Sequence, residues 1–391
     1  METRAHLKHD FSLESFSMTI HSSLFTFKAS GTTQGNRLKI STSGADQTQT
    51  EHEIEFDSPP YLAGGILLDL AASLKTGKKS KTYDLFDPVT MAFLPATAEV
   101  KGIESIEAFG KQTDALMVDL SFKGATQTLW MDQKGRILLE SGMLGMRIKA
   151  VEQQEALTGI NSAPVQDMTR LASVRADRKI PDPEALNTLV VDISGIDVNQ
   201  YPFRTRRQRL AGKRLTIKKE RIPNTHTSHI PFDLRKLTKP GPFIQSDTPE
   251  IMALAQEITQ GETLAVNKVR KLVDWVYKNI EKRPSPSIPD ALSTLKTRKG
   301  DCNEHAVLLA ALGRAAGIPT RVETGLYYLD GKFMYHAWNA FYTGAWITAD
   351  GVFNQIPADV THIRIASSKK GTGTELTGVI GNIQLKIIEM N

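Results

Sequence analysis

Apolar and polar residues alternate along much of the first 152 positions, as at Phe16, Met18 and Ile20 and again at Leu116, Val118 and Leu120. A period of two marks strands with one buried face. Turn-prone residues at 132–135 and 142–145 break the runs. The pattern predicts a mostly β N-terminal domain over 1–152. A polar stretch with Asn161, Ser162, Pro164, Pro181 and Pro183 follows and holds one short helical pattern at 165–176. With the strand-like runs 189–193 and 215–217, it reads as a linker and small β unit over 153–242.

From position 243 the period changes. Thr248-Pro249-Glu250 has the form of an N-cap followed by proline at the first helical position. Val266, Val269, Leu272, Val273, Val276 and Ile280 recur at helical spacing, and Pro284, Pro286 and Pro289 are expected to end that helix. Ala306, Leu309, Ala310 and Gly313 predict a further helix with one buried face, stopped by Gly317 and Pro319. Three strand-like runs come next, at 321–328, 333–341 and 345–350. The first two are separated by Asp330-Gly331, which suits a tight hairpin turn. Alternation at Ile383, Leu385 and Ile387 predicts a final strand. Residues 243–391 therefore read as a separate α+β domain.

The only cysteine, Cys302, stands at the start of the helix that follows Gly300-Asp301. At a helix N-terminus the macrodipole and unsatisfied backbone N–H groups favour the nucleophilic thiolate. Downstream lie His336, in Tyr335-His336-Ala337-Trp338, and Asp350, after Trp346-Ile347-Thr348-Ala349. The order Cys, His, Asp is the one a thiol acyl-transfer triad needs. If Tyr342-Thr343-Gly344 forms a three-residue loop, His336 and Asp350 stand opposite each other on adjacent strands and share one face. A two-residue turn would put them on opposite faces. A lone cysteine is most often an inert buried hydrophobe, and a strand histidine most often structural. The combination of all three, in order and in these local contexts, is what points to catalysis. Tyr335 and Trp338, beside His336, are read as substrate-binding, with the Trp338 indole shielding the reactive pair or lining an acyl pocket. Trp346 reads as a core residue against the cysteine helix.

Several of these residues carry a family likeness. Ala291-Leu292 with Leu295-Lys296, Gly300-Asp301-Cys302, the run from Leu312 through Gly317-Ile318-Pro319 to Arg321, Gly325, His336-Ala337-Trp338 and Trp346 with Asp350 together resemble the transglutaminase-like superfamily. That resemblance implies a papain-like fold for 243–391, a cysteine helix packed on an antiparallel sheet. It also implies Cys302 as nucleophile, His336 as general base and acid, and Asp350 as the orienting residue. Where family members commonly follow the aspartate with Pro-Thr, this chain has Gly351-Val352. Members include cross-linking transferases, peptidases, amidases and inactive relatives, so the resemblance leaves transfer and hydrolysis both open. The Cys302 N–H is one expected oxyanion donor; the second could come from the 283–289 loop or from nearby helix residues. There is no EF-hand-like acidic loop, and neither a metal nor a cofactor is expected.

Composition narrows the setting. At 391 residues, with 40% hydrophobic and 23% charged residues, the chain has ordinary globular usage and room for two or three domains. The longest apolar run, 61–68, is far too short to span a bilayer, so no transmembrane segment is expected. Residues 1–30 lack a signal-peptide progression. A single cysteine forbids an intrachain disulfide and suits either compartment. The family likeness points to the periplasm or another extracytoplasmic location with the leader removed, while the cytoplasm stays open. The net charge of +5 is concentrated: nine Lys or Arg residues, of which Arg204 is the first and Arg221 the last, stand against one acid, Glu220. Such a stretch could take an anionic partner, though charge runs are more often simply solvated. With no nucleic-acid motif and little aromatic interleaving, DNA or RNA is not an expected partner. His226 and His229, lacking acidic or cysteine neighbours, read as loop residues. Two classes remain. One is a thiol acyltransferase or hydrolase acting on a peptide or protein. The other is a catalytically silent scaffold whose β region binds a partner or anionic ligand. The presence of all three triad residues favours the enzyme.

Overall fold

A computed structural model describes residues 2–21, 26–43, 49–73, 79–88, 92–122, 125–141, 147–159, 173–222, 230–241, 243–283, 290–368, 376 and 378–391. The turn at 142–145, most of the helical pattern at 165–176, His226 and His229, and the loop from 284 to 289 lie outside the described residues. Two compact units emerge, one drawn chiefly from positions 1–171 and one chiefly from the rest.

The first unit is mostly β. Five strands between Glu2 and Glu55 form a sequential meander, and a seven-stranded sheet runs back from Arg147–Lys149 to Pro60–Tyr61. The period-two residues are inward facing, with Phe16, Met18, Val118 and Leu120 buried. The turn at 132–135 forms as its residues suggest. Asp132 accepts from the backbone N–H of Lys134 and Arg136, and its carboxylate holds the loop closed. The apolar run at 61–68 leads into a helix, Ala63–Ser73, whose Ile66, Leu67 and Leu70 fill the core beside Val118, Leu120 and Leu129. No described helix is long and apolar enough to cross a membrane.

The second unit is α+β. Pro249–Thr259, Ala265–Asn279 and Ala291–Thr297 are helices that pack with a fourth, Cys302–Ala315. Thr248 is the N-cap of the first, with Pro249 leading it. The second buries the expected stripe, Val266, Val269, Leu272, Val273 and Val276. It ends at Asn279, ahead of the prolines, because the chain leaves to form a short parallel pairing of Glu281–Lys282 with Lys299–Gly300. The cysteine helix departs from the amphipathic expectation: every residue from Glu304 to Arg314 is buried. It has helices around part of its circumference and the sheet against the rest, so no face is left for water.

That sheet is antiparallel throughout. Its central histidine strand, Lys332–Tyr342, pairs with Thr320–Leu329 on one side, and Thr320–Leu329 pairs in turn with Ile363–Ser368. On its other edge the histidine strand carries Trp346–Ala349 at one end and Val174–Arg175 at the other. The last residues of the helical pattern at 165–176 are thus strand and not helix, because pairing with Phe333 and Lys332 overrides local propensity. Asp330 and Gly331, with φ of 47° and 84°, form the expected two-residue turn. The final strand, Gln384–Met390, joins a different sheet. It pairs with Thr188–Ser194, beyond which lie Arg214–Lys218 and Gln208–Ala211, and Val191, Ile193, Leu385 and Ile387 are buried there.

One glycine fixes the sheet beneath the site. Gly325 stands opposite His336, and a Cβ at Gly325 would overlap the carbonyl oxygen of Ile363 in the neighbouring strand. Backbone cannot yield as a flexible side chain can. Gly325→Ala is therefore expected to cost about 3 kcal/mol, the upper part of the usual range for overpacking. Chemical denaturation followed by circular dichroism checks this; an unchanged midpoint would mean the two strands can part without loss.

Candidate active site

The local sequence explains how Cys302 is held. Asp301 caps the helix, accepting from the Asn303 N–H at 2.7 Å, and Glu304 reaches back to the Asp301 N–H at 2.9 Å, completing a capping box. For Glu304 to fold back, the residue before the cap must have no side chain: a Cβ at Gly300 would overlap Glu304. This gives Gly300-Asp301-Cys302 a structural meaning. The helix is also tied to the sheet, because Asn339 donates to the Ala306 carbonyl at 2.9 Å. Cys302 itself is free and half-buried.

His336 and Asp350 come together. His336 Nε2 lies 2.6 Å from Asp350 Oδ2, with both side chains buried. Cys302 is close enough to bear on the ring's protonation, and Nδ1 is the nitrogen that Asp350 leaves free. Burial opposes a charged imidazole here. The Asp350 carboxylate and its hydrogen bond outweigh burial, Cys302 adds to them, and His336 is pushed up from the ordinary 6.5 to about 9. Asp350 is moved the other way. Burial disfavours its charge, but His336 and His362 hold it below the usual carboxylate range. The signs follow for stability. The contribution of protonated His336 is complete below pH 6.5 and is lost as pH rises through about 9; that of Asp350 is present above its ordinary 3.8 and is lost as pH falls.

The route to this pairing differs from the sequence expectation in one respect. Tyr342 pairs with Trp346, so the loop is Thr343-Gly344-Ala345, with Gly344 at φ 95°. The register is shifted by two residues from the one expected, and Asp350 lies just past the strand, in a bridge to Gln355. A shift of two preserves the face of every side chain, so His336 and Asp350 still meet. The Gly351-Val352 departure builds a turn whose Val352 N–H donates to Asp350 Oδ1 at 2.6 Å.

The site holds more than the sequence suggested. His362 Nε2 is 3.0 Å from the same Asp350 Oδ2, and its Nδ1 is 3.3 Å from Asp359 Oδ1. Asp350 is thus shared by two imidazoles, and His362 is shared by two carboxylates. Burial works against a charge on His362, but its two carboxylate partners raise its pKa overall. Burial likewise opposes the charge on Asp359, and His362 and Thr361 hold its pKa low. Tyr327, Phe353 and Trp338 enclose the pair. Tyr327 lies 5.4 Å from the His336 ring and 4.7 Å from His362, and it stacks on Phe353 at 4.4 Å. Nothing local marks His362, Tyr327 or Phe353. The only signal was a second histidine within reach of Asp350, directly before a strand.

The remaining sequence candidates separate. Trp338 is only 1% exposed and lies nearly parallel to the His336 ring at 6.1 Å, so it screens the imidazole from water. Tyr335 alternates to the other face of the histidine strand and is half-buried. Trp346 is not packed against the cysteine helix. It is half-buried beside Tyr342, with the Arg321 guanidinium 4.2 Å over its ring, because its strand position faces away from the helices. His336, Asp350 and His362 converge closely enough to be weighed as metal ligands, their donor atoms lying within 4.8 Å of one another. Both Nε2 atoms, however, stand at hydrogen-bonding distance from one carboxylate oxygen, a spacing suited to shared protons.

Residues 252–351 match the transglutaminase-like superfamily. This part of the chain is a transglutaminase-like domain. The matched span takes in Cys302, His336 and Asp350 and stops short of Asp359 and His362. Among solved structures, the chain is similar to a candidate cysteine protease from Cytophaga hutchinsonii, at 18% identity and a TM-score of 0.34, over 53% of this chain and 85% of that one. It is also similar to a candidate protease from Parabacteroides distasonis, at 12% identity and a TM-score of 0.24, over 90% of this chain and 70% of that one. Likeness at that level bears on neither activity nor substrate. None of the curated proteins compared matches the chain. The transglutaminase-like domain lies toward the C-terminus, after the mostly β region.

Proposed function

We propose that the chain is a thiol-dependent acyl-transfer enzyme or hydrolase acting on a peptide or other amide, with Cys302, His336 and Asp350 as its catalytic triad. One observation carries this reading: a half-buried thiol at a helix N-terminus beside a histidine whose Nε2 is fixed by a buried carboxylate and whose pKa that thiol helps to raise. His336 takes the thiol proton, and the Cys302 sulfur attacks the amide carbonyl carbon. The oxyanion of the tetrahedral intermediate is met by the Cys302 N–H, which at the first helical position has no intrahelical acceptor. Collapse breaks the carbon–nitrogen bond as His336 returns its proton to the leaving amine, and a thioester remains on Cys302. Water or a second amine, deprotonated by His336, then attacks that thioester and restores the thiol. Asp350 holds the Nε2–H tautomer throughout and stabilises the imidazolium.

The test uses iodoacetamide on the intact protein, with mass spectrometry locating the adduct. A triad thiol is expected to alkylate at pH 6 about tenfold faster than free cysteine, which is mostly protonated there. Alkylation of Cys302 at or below the free-cysteine rate would support the silent scaffold in its place. Acid quenching during incubation with a panel of peptide amides is then expected to leave an acyl group on Cys302, and its mass identifies the acyl donor.

A further inference from the structure

The basic stretch around Arg204 does not simply face water. It forms one wall of a cavity of about 230 Å³, closed on the sheet side by Arg321, Arg364, Thr348 and Trp346. Five arginines line it, against two carboxylates, Glu220 and Glu323. Glu220 pairs with Arg207 at 3.3 Å, and Glu323 pairs with Arg321 at 2.9 Å and with Arg364 at 3.8 Å. Arg204 and Arg206, exposed at the rim, make no ion pair among the described residues. The lining therefore holds an excess of positive charge in a confined space.

Burying that charge would be costly unless something answers it. Arg207 and Arg364 are each 6% exposed. Their outer nitrogens are used by protein groups: Arg207 donates to Thr348 and to the Ala358 and Asp359 carbonyls, and Arg364 donates to the Pro202 and Arg204 carbonyls. Yet the Nε atoms of Arg207, Arg321 and Arg364 are all buried with no hydrogen-bond partner among the described residues. These three atoms are sealed inside the wall, so an entering ligand is met by the exposed Arg204 and Arg206 guanidinium groups at the rim and by the excess positive charge of the wall behind them. The five arginines arrive from three places in the chain: the 204–207 segment, the Thr320–Leu329 strand and the Ile363–Ser368 strand. Two planar carboxylate oxygens could meet donors from few directions. A tetrahedral oxyanion can meet them from several, and guanidinium groups suit it.

We propose that this cavity is a binding site for a phosphate-type tetrahedral oxyanion, either free or as the terminal group of a larger molecule. None of its lining residues is Cys302, His336 or Asp350, so the proposal does not depend on the thiol being reactive.

Isothermal titration of the full chain with inorganic phosphate, at ionic strength held constant with chloride, tests it. Saturable one-to-one binding is expected. The double variant Arg204→Ser, Arg206→Ser should weaken binding at least tenfold while keeping the parent melting temperature in phosphate-free buffer, since both side chains are exposed. Phenyl phosphate in place of phosphate separates the sources: tighter binding indicates a phosphoester that uses the Trp346 wall, and equal or weaker binding indicates the free anion. The proposal is overturned by no saturable binding, by a double variant that binds as well as the parent, or by succinate binding more tightly than phosphate.

Discussion

Cys302→Ala should abolish turnover, by about 10⁴-fold or more, because removal of a covalent nucleophile leaves only the contribution of binding and oxyanion stabilisation. The fold should survive. The thiol is half-buried at the first helical position, and neither the Asp301–Glu304 capping box nor the Asn339 link to the Ala306 carbonyl passes through it. Replacing the sulfur by hydrogen is expected to cost about 1 kcal/mol, typical of a mild substitution. His336 loses one of the interactions that raise its pKa, so in the variant it should titrate below about 9, as followed by NMR of its ring protons. Turnover at the parent rate with the substrate identified by acyl trapping would remove Cys302 from the chemistry. A variant that fails to fold would show that the thiol is structural, and Cys302→Ser, which keeps the size and a hydroxyl donor, then separates the two roles.

Much of the arrangement around Cys302 was legible because it is local. Gly300-Asp301-Cys302 before Glu304 encodes a capped helix start, and Asp330-Gly331 encodes a hairpin that sets Gly325 opposite His336. The face shared by His336 and Asp350 tolerated a misplaced loop, since a slip of two residues leaves alternation intact. A slip of one would have destroyed it. What could not be read is non-local. His362 reaches Asp350 only because Ile363–Ser368 pairs with Thr320–Leu329, and no period or cap in the chain announces that pairing. The burial of the whole cysteine helix has the same origin: its polar-looking positions, such as His305 and Arg314, are covered by other segments. The basic run misled for a related reason. A count of charges could not show that Glu220 and Arg207 turn inward to meet Thr348 while Arg206 stays at the surface.

Asp350→Asn should lower kcat/KM by about 10³- to 10⁴-fold, the scale seen when a triad histidine is left in the wrong tautomer. In the parent, Asp350 Oδ2 accepts from both His336 and His362, while Oδ1 accepts from the Val352 and Phe353 N–H groups. An asparagine has only one acceptor oxygen for these four donors, and its NH₂ would face either two backbone N–H groups or two imidazoles. His336 then loses the charge that raises it, so the alkaline limb of kcat/KM should fall from about pH 9 toward the ordinary 6.5. His362→Gln should not lower the limb. It keeps a donor that can reach Asp350 but removes the second imidazole that shares the same carboxylate oxygen, so the limb should stay at about 9 or rise, with a rate loss of only about 10- to 100-fold, as for an outer hydrogen-bond partner. A limb that falls in one variant and holds or rises in the other, when both residues meet on a single carboxylate oxygen, is hard to obtain from general damage to the fold. If both variants lowered the limb together, His362 would be acting through packing against Tyr327 and Trp338 and not through its hydrogen bond to Asp350.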